Sequence, residues 1–463
     1  MGSQDVRAKL SSEERSAFMK ALLNDVRALE HLLETDLFER DVTRIGAEQE
    51  LVLVDDDWLP APLNMTLLEE LGDDRLTTEI AKFNLEANLP PLLFTGDCLR
   101  VMHDELAELI GQVRRAAARH GAEVVLTGIL PTLDKAHLGR ENITERTRYY
   151  ALDEAVSDLR GEPYELRIKG IDEVSLKHDS VLLEALNTSF QLHYQVSPDR
   201  FAELYNIAQA ISGPVLAAAT NSPILFGKRL WRETRIAIFQ QTVDTRGRIP
   251  PERDLLARVR FGESWLDNSV MEIFKSDVSR FRVILGRDID EEPFDEIAAG
   301  RAPALQALQL FNSTIYRWNR ACYGAAGGKA HLRIENRLLP AGPTTVDEMA
   351  NAAFWFGLMH GGPEALGDIR TRLTFDDARA NFLAAAYQGL LAEFTGTNGQ
   401  FLTARELILK ELLPIARNGL ANAEIDVRDR EYFLDIIAAR VESRRTGAQW
   451  LMNSVAGMSG RGT

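Results

Sequence analysis

Cysteine, long apolar runs and clusters of basic residues are all scarce in this sequence. Only Cys98 and Cys322 occur among 463 residues, too few for a disulfide framework, which favours a reducing compartment such as the cytoplasm. The stretch nearest to a membrane span, 214–226, is short and contains an asparagine and a proline. The polar start of the chain, residues 1–15, is unlike a signal peptide. We therefore expect a soluble cytoplasmic protein without a membrane partner.

The low content of positive charge limits the range of ligands. The formal net charge is -16, whereas binding to a nucleic-acid backbone requires a basic stripe. No nucleic-acid partner is therefore expected, and a polyphosphate ligand would have to be held by local arginines and metal ions. Hydrophobic residues make up 45% of the chain, which suffices for a substantial core in one large domain or two ordinary ones.

Helical and strand-like patterns alternate along much of the chain. A Ser-x-x-Glu cap predicts an amino-terminal helix that ends near Leu37, and helical periodicity predicts another from Arg301 to Tyr323, with Cys322 in the core. From Gly361 onward only helical patterns occur. Strands are predicted at 44–54, 77–88, 122–130 and 186–196, and a further strand carries residues 331–337.

Two of these strands carry an unusual arrangement of charges. Alternate side chains of a strand share a face, so Glu48 and Glu50 point the same way, as do Arg333, Glu335 and Arg337. Like charges about 7 Å apart repel unless a cation lies between them, and carboxylate oxygens suit Mg²⁺ or Mn²⁺. Arginines beside such a cation suit a phosphate. The pattern therefore predicts a nucleoside triphosphate held by metal ions on a sheet.

Polar groups on four strands point to the type of sheet. A doubly wound parallel sheet has almost continuously apolar strands, whereas an antiparallel sheet can have one face under helices and the other lining a polar cleft. Taken singly, each motif has an ordinary explanation, such as a solvated face, a core histidine or a salt-bridge ladder. Their joint occurrence favours a metal–nucleotide site. The four polar sets are Glu48/Glu50, Glu86/Asn88, Gln191/His193 and Arg333/Glu335/Arg337.

Several segments, in order, resemble the glutamate–cysteine ligase type 2 family of carboxylate–amine ligases, within the glutamine synthetase superfamily. The similarity covers roughly residues 44–359 and excludes the amino-terminal helix and the chain after Gly361. The segments are Gly-Ala-Glu-Gln-Glu at 46–50, Ser-Phe-Gln-Leu-His at 189–193, Asn-Ser-Pro at 221–223 with Gly227 and Arg235, and Arg-Ile-Glu-Asn-Arg-Leu-Leu-Pro at 333–340 with Pro343-Thr344.

The resemblance implies a fold and a set of roles. The implied fold is α+β, an antiparallel sheet bent into a funnel with helices on its outer face. ATP and Mg²⁺ or Mn²⁺ are the implied cofactors. Arg337 and Arg333 would be catalytic, at the γ-phosphate, and Arg235, Asn88 and Gln191 would bind substrate. The implied metal ligands are Glu48, Glu50, Glu86, His193 and Glu335.

The sequence patterns, together with the extent of the resemblance, predict a domain organisation. We expect an N-terminal helical segment at 1–42 and a ligase catalytic domain at 43–361. A C-terminal helical layer would pack on it at 362–452, and a Gly/Ser-rich tail at 453–463 would be disordered. The sequence leaves the oligomeric state open, including a homo-oligomer.

Three functions are open at this stage. The first is an ATP-dependent ligase that forms an amide through an acyl phosphate, from glutamate or a similar acid and cysteine or another amine. The second is a phosphotransferase of the same fold acting on a guanidino group, although no cysteine is convincingly placed for guanidine binding. The third is a catalytically silent relative that binds nucleotide. The intact set of carboxylates argues against silence, because unpaired buried charges are costly.

Overall fold

The computed structural model describes residues 6–160, 164–178, 180–242 and 258–459. Its centre is a curled antiparallel sheet of eight strands, which confirms the predicted antiparallel sheet. The strands of this sheet are β1 (Arg44–Asp55), β2 (Leu76–Thr78), β3 (Asn84–Asn88), β4 (Leu92–Leu93), β5 (Ala122–Val125), β6 (Phe190–Val196), β7 (Asn319–Ala326) and β8 (Lys329–Asn336).

The strand order brings the charged motifs together. The order is β7-β8-β6-β1-β3-β2, and β4 and β5 also pair with β1. Glu48 on β1 lies opposite Gln191 on β6, and Glu50 lies opposite Glu86 on β3. Glu335 on β8 lies opposite His193 on β6. Since opposed residues share a face, motifs from four separate segments form one polar surface.

The other face of the sheet is part of the hydrophobic core. On β1 the residues Ile45, Ala47, Leu51 and Leu53 are at most 2% exposed, which explains why this strand alternates between apolar and polar residues along its first half. The helices Phe201–Ala219 and Thr345–Leu366 pack against this side of the sheet. The alternation thus fixes which face is left for ligands.

Helices surround the sheet and form most of the carboxy-terminal third. They are α1 (Ser12–Leu32), α2 (Asn64–Leu71), α3 (Cys98–Arg119), α4 (Thr147–Arg160), α5 (Phe201–Ala219), α6 (Thr234–Thr242), α7 (Met271–Arg280), α8 (Pro293–Ala298), α9 (Gln306–Asn312), α10 (Thr345–Leu366), α11 (Phe375–Gln388), α12 (Ala404–Leu407), α13 (Leu413–Asn422), α14 (Val427–Ser443) and α15 (Gly447–Ser459). Among the helices described, none is both long and apolar enough to cross a membrane.

Four two-stranded sheets lie outside the central sheet in the described part of the chain. Three of these pairs are antiparallel, and the pair formed by Val259–Arg260 and Tyr316–Arg317 is parallel. They are Tyr164–Lys169 with Glu173–His178, Val259–Arg260 with Tyr316–Arg317, Ile224–Leu225 with Lys228–Arg229, and Glu393–Thr395 with Phe401–Thr403. The last pair lies in the region for which only helices are predicted.

The amino-terminal helix begins as predicted. Ser11 caps α1 by accepting a hydrogen bond from the backbone of Glu14, whose side chain accepts one from the backbone of Ser11. The helix ends at Leu32, five residues before the predicted end near Leu37. The capping box therefore locates the start of this helix better than periodicity locates its end.

The predicted helix from Arg301 to Tyr323 is wrong over most of its length. Only α9 is helical there, and residues 319–326 form β7, which pairs with β8. A tight turn at Gly327 and Gly328, both with positive φ, joins the two strands. Pairing with a distant part of the sheet decides the conformation of this segment, which local periodicity does not reveal. Cys322 consequently lies on a strand.

Two other predictions change at the edges of elements. The predicted strand at 77–88 is a pair of strands, β2 and β3, that pair with each other. The prediction of a disordered tail is wrong for residues 453–459, because α15 continues to Ser459. Residues 460–463 lie outside the described part of the chain. The division into domains remains a prediction.

Candidate functional site

A cavity of about 650 Å³ lies over the polar face of the sheet, within the size range of ligand pockets. Asn88 lies outside its lining and donates a hydrogen bond to Glu86 Oε1 at 2.9 Å, so the structure places it as a support for Glu86 instead of in direct reach of a substrate. The predicted site residues that line the cavity are Glu48, Glu50, Glu86, Gln191, His193, Arg235, Arg333, Glu335 and Arg337.

Three carboxylates form the acidic wall of this cavity. Oxygen atoms of Glu50, Glu79 and Glu86 all lie within 4.8 Å of one another. Burial, reinforced by the charges of Glu48 and Glu50, raises the pKa of Glu86 to about 8. Burial and the neighbouring Glu86 and Glu50 raise the pKa of Glu79 well above its usual value. Such a cluster of hard oxygen donors fits a divalent cation, which would relieve the repulsion.

Glu50 is held in place by the neighbouring strand. The backbone N–H of Ser189 donates to its Oε2 at 2.6 Å, and Gln191 Nε2 donates to its Oε1 at 2.9 Å. Burial raises the pKa of Glu50, although Arg337 and Ser189 act in the opposite direction. Gln191, predicted to bind substrate, thus positions a carboxylate.

Glu48 and His193 form a second polar pair on the same wall. His193 Nε2 lies 2.9 Å from Glu48 Oε1. Burial acts to raise the pKa of Glu48, but the charge and the hydrogen bond of His193 outweigh it and lower the pKa. The buried Nδ1 of His193 has no hydrogen-bond partner within the described ranges. His193 also lines the cavity, so both members of the pair lie at the predicted site.

Glu335 is fully buried between two arginines. Arg320 Nε lies 2.8 Å from its Oε2, and Arg337 Nη1 lies 2.5 Å from its Oε1. Cys322 Sγ also donates to Oε2, at 3.0 Å. Burial alone would raise the pKa of Glu335, but Arg320 and Arg337 hold it well below its usual value. Both oxygens are engaged, so Glu335, predicted to be a metal ligand, here braces the two guanidinium groups.

Two further predicted arginines line the cavity from fixed positions. Arg333 Nη1 donates to His331 Nε2 at 2.5 Å. Burial and the charge of Arg333 lower the pKa of His331 to about 4, which keeps this imidazole a neutral acceptor. Arg235 is 3% exposed, with Nε 2.7 Å from Glu233 Oε1 and Nη2 2.6 Å from the carbonyl oxygen of Leu338.

Glu184 is a carboxylate of the cavity that was not predicted. Its Oε2 is buried and has no hydrogen-bond partner among the residues described. Burial raises the pKa of Glu184 to about 7, with Arg337 acting to lower it and Glu50 to raise it. A carboxylate with this pKa near neutrality is suited to accept a proton.

Three residues of the cavity, Glu79, Arg320 and Glu184, were missed for different reasons. Glu79 was hidden because the segment 77–88 reads as one strand, whereas the turn back into β3 places Thr77 opposite Glu86 and brings Glu79 beside it. Arg320 was hidden by the incorrect helix. The only sequence signal for Glu184 is one carboxylate within the apolar run Val-Leu-Leu-Glu-Ala-Leu.

Comparison with known proteins identifies the family. Residues 44–462 match the model of glutamate-cysteine ligase family 2 (GCS2). The match extends about a hundred residues beyond the similarity recognised in the sequence and includes the carboxy-terminal helices. No sequence among the curated proteins matches this chain.

Solved structures show the same fold at low sequence identity. Glutamate–cysteine ligase from Francisella tularensis, solved in complex with AMP, has a TM-score of 0.56 and 13% identity, over 90% of this chain and 85% of that one. A bifunctional glutathione synthetase from Pasteurella multocida has a TM-score of 0.51 and 12% identity, over 94% of this chain and 50% of that one. By its family match, this chain belongs to glutamate-cysteine ligase family 2.

Proposed function

We propose that this protein is an ATP-dependent carboxylate–amine ligase that joins glutamate, or a similar acid, to cysteine or another amine. The observation that carries the proposal is the cavity wall itself, where three carboxylates face an arginine pair held by Glu335. Carboxylates suit a metal–phosphate complex and arginines suit a phosphoryl group in transfer. Membership of GCS2 supports the ligase class.

The chemistry requires an activated carboxylate. An amine does not displace oxide from a carboxylate, so the acid first attacks the γ-phosphorus of ATP, which releases ADP and leaves an acyl phosphate. The amine then attacks the acyl carbon, phosphate leaves with the bonding electrons, and the nitrogen loses a proton. The products are an amide, ADP and phosphate.

The residues of the cavity have a place in both steps. Glu50, Glu79 and Glu86, with Glu48 and His193, would hold Mg²⁺ or Mn²⁺, which neutralises phosphate charge when bound. This set fits a cation because it gathers buried carboxylates that otherwise repel each other.

Arginines would stabilise the negative charge that remains on the phosphoryl group. Arg337 and Arg333 would stabilise the phosphoryl group in transfer, with Arg320 beside them. Arg235, fixed by Glu233, would hold a carboxylate of the acid. Support for nucleotide use comes from the Francisella tularensis ligase, whose structure contains AMP.

The decisive experiment is a screen of acids and amines. Release of ADP and phosphate is measured with Mg²⁺ and ATP, and the product is identified by mass. We expect ADP release that requires both an acid and an amine and an amide product in equal amount. ADP release with a phosphorylated guanidino product would show the phosphotransferase, and the absence of any ATP turnover would show the silent relative.

A carboxylate variant tests the same site. Glu50→Gln should abolish turnover, because it removes a charge at the metal position while keeping its shape. Exposed Glu69→Gln on α2 is the matched control and should retain turnover. Full activity of Glu50→Gln, with an unchanged melting temperature, would contradict the assignment.

A further inference from the structure

A second cavity, of about 350 Å³, lies where α14 turns into α15. It shares no lining residue with the main cavity. Its charged lining consists of Arg232, Arg444 and Arg445, and within the described ranges no acidic side chain lines it. Thr446, Gln449 and Asn453 add polar atoms. In a chain whose net charge is -16, a cavity lined by three arginines and by no acidic residue among those described requires an explanation.

The hydrogen bonds of Arg232 are incomplete. Its Nη1 is buried and has no partner among the residues described. A buried N–H without an acceptor is costly, and charged donors are costlier than neutral ones. Because Arg232 lines the cavity, an oxyanion bound there would offset the positive charge of this side chain.

The other two arginines contrast with an arginine on the same helix. Arg440 on α14 pairs with Asp347 at 2.9 Å and donates to Asn351 Oδ1 at 2.5 Å. Arg444 and Arg445 come four and five residues after Arg440, but within the part of the chain that the structure describes no ion pair involves either of them. The arrangement therefore leaves positive charge unneutralised at this cavity.

We propose that this cavity binds a small anion that carries a phosphate group. Guanidinium groups bind phosphate oxygens in pairs, and several of them around one space favour a phosphate with two negative charges over a monocarboxylate. The cavity is large enough for a phosphate ester as well as for inorganic phosphate. The proposal is independent of the function proposed for the main cavity, because it rests on different residues.

A short segment connects the two cavities. Arg232 lines the second cavity and Arg235 lines the main one. Between them, Glu233 accepts hydrogen bonds from Ser222 Oγ at 2.5 Å and from the backbone N–H of Asn221 at 2.8 Å. The binding of an anion at Arg232 would therefore take place three residues from a side chain of the main cavity.

Calorimetric titration of the full chain tests the proposal. The probes are inorganic phosphate, inorganic pyrophosphate and glycerol 3-phosphate, whose relative affinities distinguish a free phosphate from a phosphate ester. The main cavity is weakened by Arg337→Gln, which reduces the contribution of phosphate bound there. We expect this variant to keep a binding event, and the added double change Arg444→Gln/Arg445→Gln to weaken it at least about tenfold.

Two further variants make the result specific. Arg405→Gln removes an exposed charge elsewhere and should leave the binding event unchanged. Gln449→Glu places a carboxylate in the cavity with little change of shape and should also weaken binding, which covers the case that the double variant folds poorly. Absence of phosphate binding in Arg337→Gln would overturn the proposal, and so would binding that stays as tight as in Arg337→Gln alone when the double change or Gln449→Glu is added. Neither result depends on whether ATP is turned over.

Discussion

Glu335 shows how burial and charge together set the chemistry of this cavity. A buried carboxylate is costly unless it is paired, and here Arg320 and Arg337 each bind one of its oxygens. In return, Glu335 raises the pKa of Arg337 against the opposing effect of burial. The pair of arginines is therefore held charged and oriented before any ligand arrives, which is the arrangement that stabilises a transition state most effectively.

Arg337→Lys tests whether this arginine serves phosphoryl transfer. Lysine keeps the charge but loses the planar fork that grips two oxygens. We expect turnover to fall about a hundredfold, which corresponds to roughly 2.7 kcal/mol of transition-state stabilisation, while ATP affinity changes much less. The measurement is turnover per folded molecule together with nucleotide affinity, with Arg405→Lys as the control. A variant that melts earlier but turns over normally when folded would show that Arg337 only braces Glu335.

Glu184 is a candidate for the base that deprotonates the amine. Its pKa is raised to about 7 by burial, and a base acts only when ionised, so turnover of the native protein should rise as the pH increases through about 7. In Glu184→Gln this rise should disappear, and turnover should fall by about a hundredfold or more at pH 8. The control is the exposed Glu123→Gln.

The stability of Glu184→Gln provides a second readout with the opposite sign. A carboxylate with a raised folded-state pKa binds more protons folded than unfolded, so the native protein loses stability as the pH rises from the usual carboxylate value to about 7. Glutamine carries no such cost, and the variant should be at least as stable as the native protein at pH 8. If the dependence of turnover on pH is identical in the native protein and in Glu184→Gln, Glu184 is not the base.

For single residues, the sequence predicts the strand face on which a side chain lies better than it predicts the side chains that it contacts. The two-residue period of a strand suffices to place Glu48 with Glu50 and Glu335 with Arg337, and the structure brings all four to one cavity. It does not show that Glu79 joins them, because that depends on a turn. Nor does it show that Asn88 supports Glu86 instead of lining the cavity.

The elements were predictable where local pattern and tertiary role agree. In β1 and β6 one face is apolar and the other polar, and period-two alternation identifies both strands. In β7 the pattern is ambiguous, and its conformation is decided by pairing with β8. Contacts between distant helices leave even less trace in the sequence.

The contact between α10 and α13 depends on glycines. A Cβ at Gly419 would lie 2.0 Å from the carbonyl oxygen of Gly357 and 2.6 Å from the backbone nitrogen of Gly361. Both neighbours are backbone atoms of α10, so the helices would have to separate to accept a methyl group. This close approach holds the carboxy-terminal helices onto the helix that covers the sheet.

Gly419→Ala should therefore destabilise the protein. Overpacking of this kind typically costs about 1–3 kcal/mol, which outweighs the gain of up to about 1 kcal/mol in helix propensity. Gly457→Ala in α15 is the matched control, because nothing lies within 4 Å of the added Cβ. Denaturant unfolding should show a loss for the first variant and no loss for the second. Equal stabilities would mean that α10 and α13 are less closely packed than the structure shows.

The whole molecule combines a negative net charge with ligand cavities that need positive charge. A formal charge of -16 repels a nucleotide at long range, so binding must rely on nearby groups. The main cavity places Arg333, Arg337 and Arg320 on one side and the carboxylates Glu50 and Glu86 on the other. Nucleotide alone would bring its own negative charge to the acidic wall, whereas a divalent cation would make the two compatible.

Stability of the entire chain in the presence of ligand follows from this argument. A ligand that binds only the folded protein stabilises it by about 2.7 kcal/mol at a concentration one hundred times its Kd. We expect a non-hydrolysable ATP analogue with Mg²⁺ to raise the melting temperature clearly, and the same analogue with a chelator to have much less effect. In Glu86→Gln the difference in melting temperature between the two conditions should shrink, because the acidic wall loses one charged oxygen donor. In the exposed control Glu69→Gln this difference should persist. Equal stabilisation with and without Mg²⁺ in the native protein would show that the nucleotide binds without the cation and that the acidic wall serves another purpose.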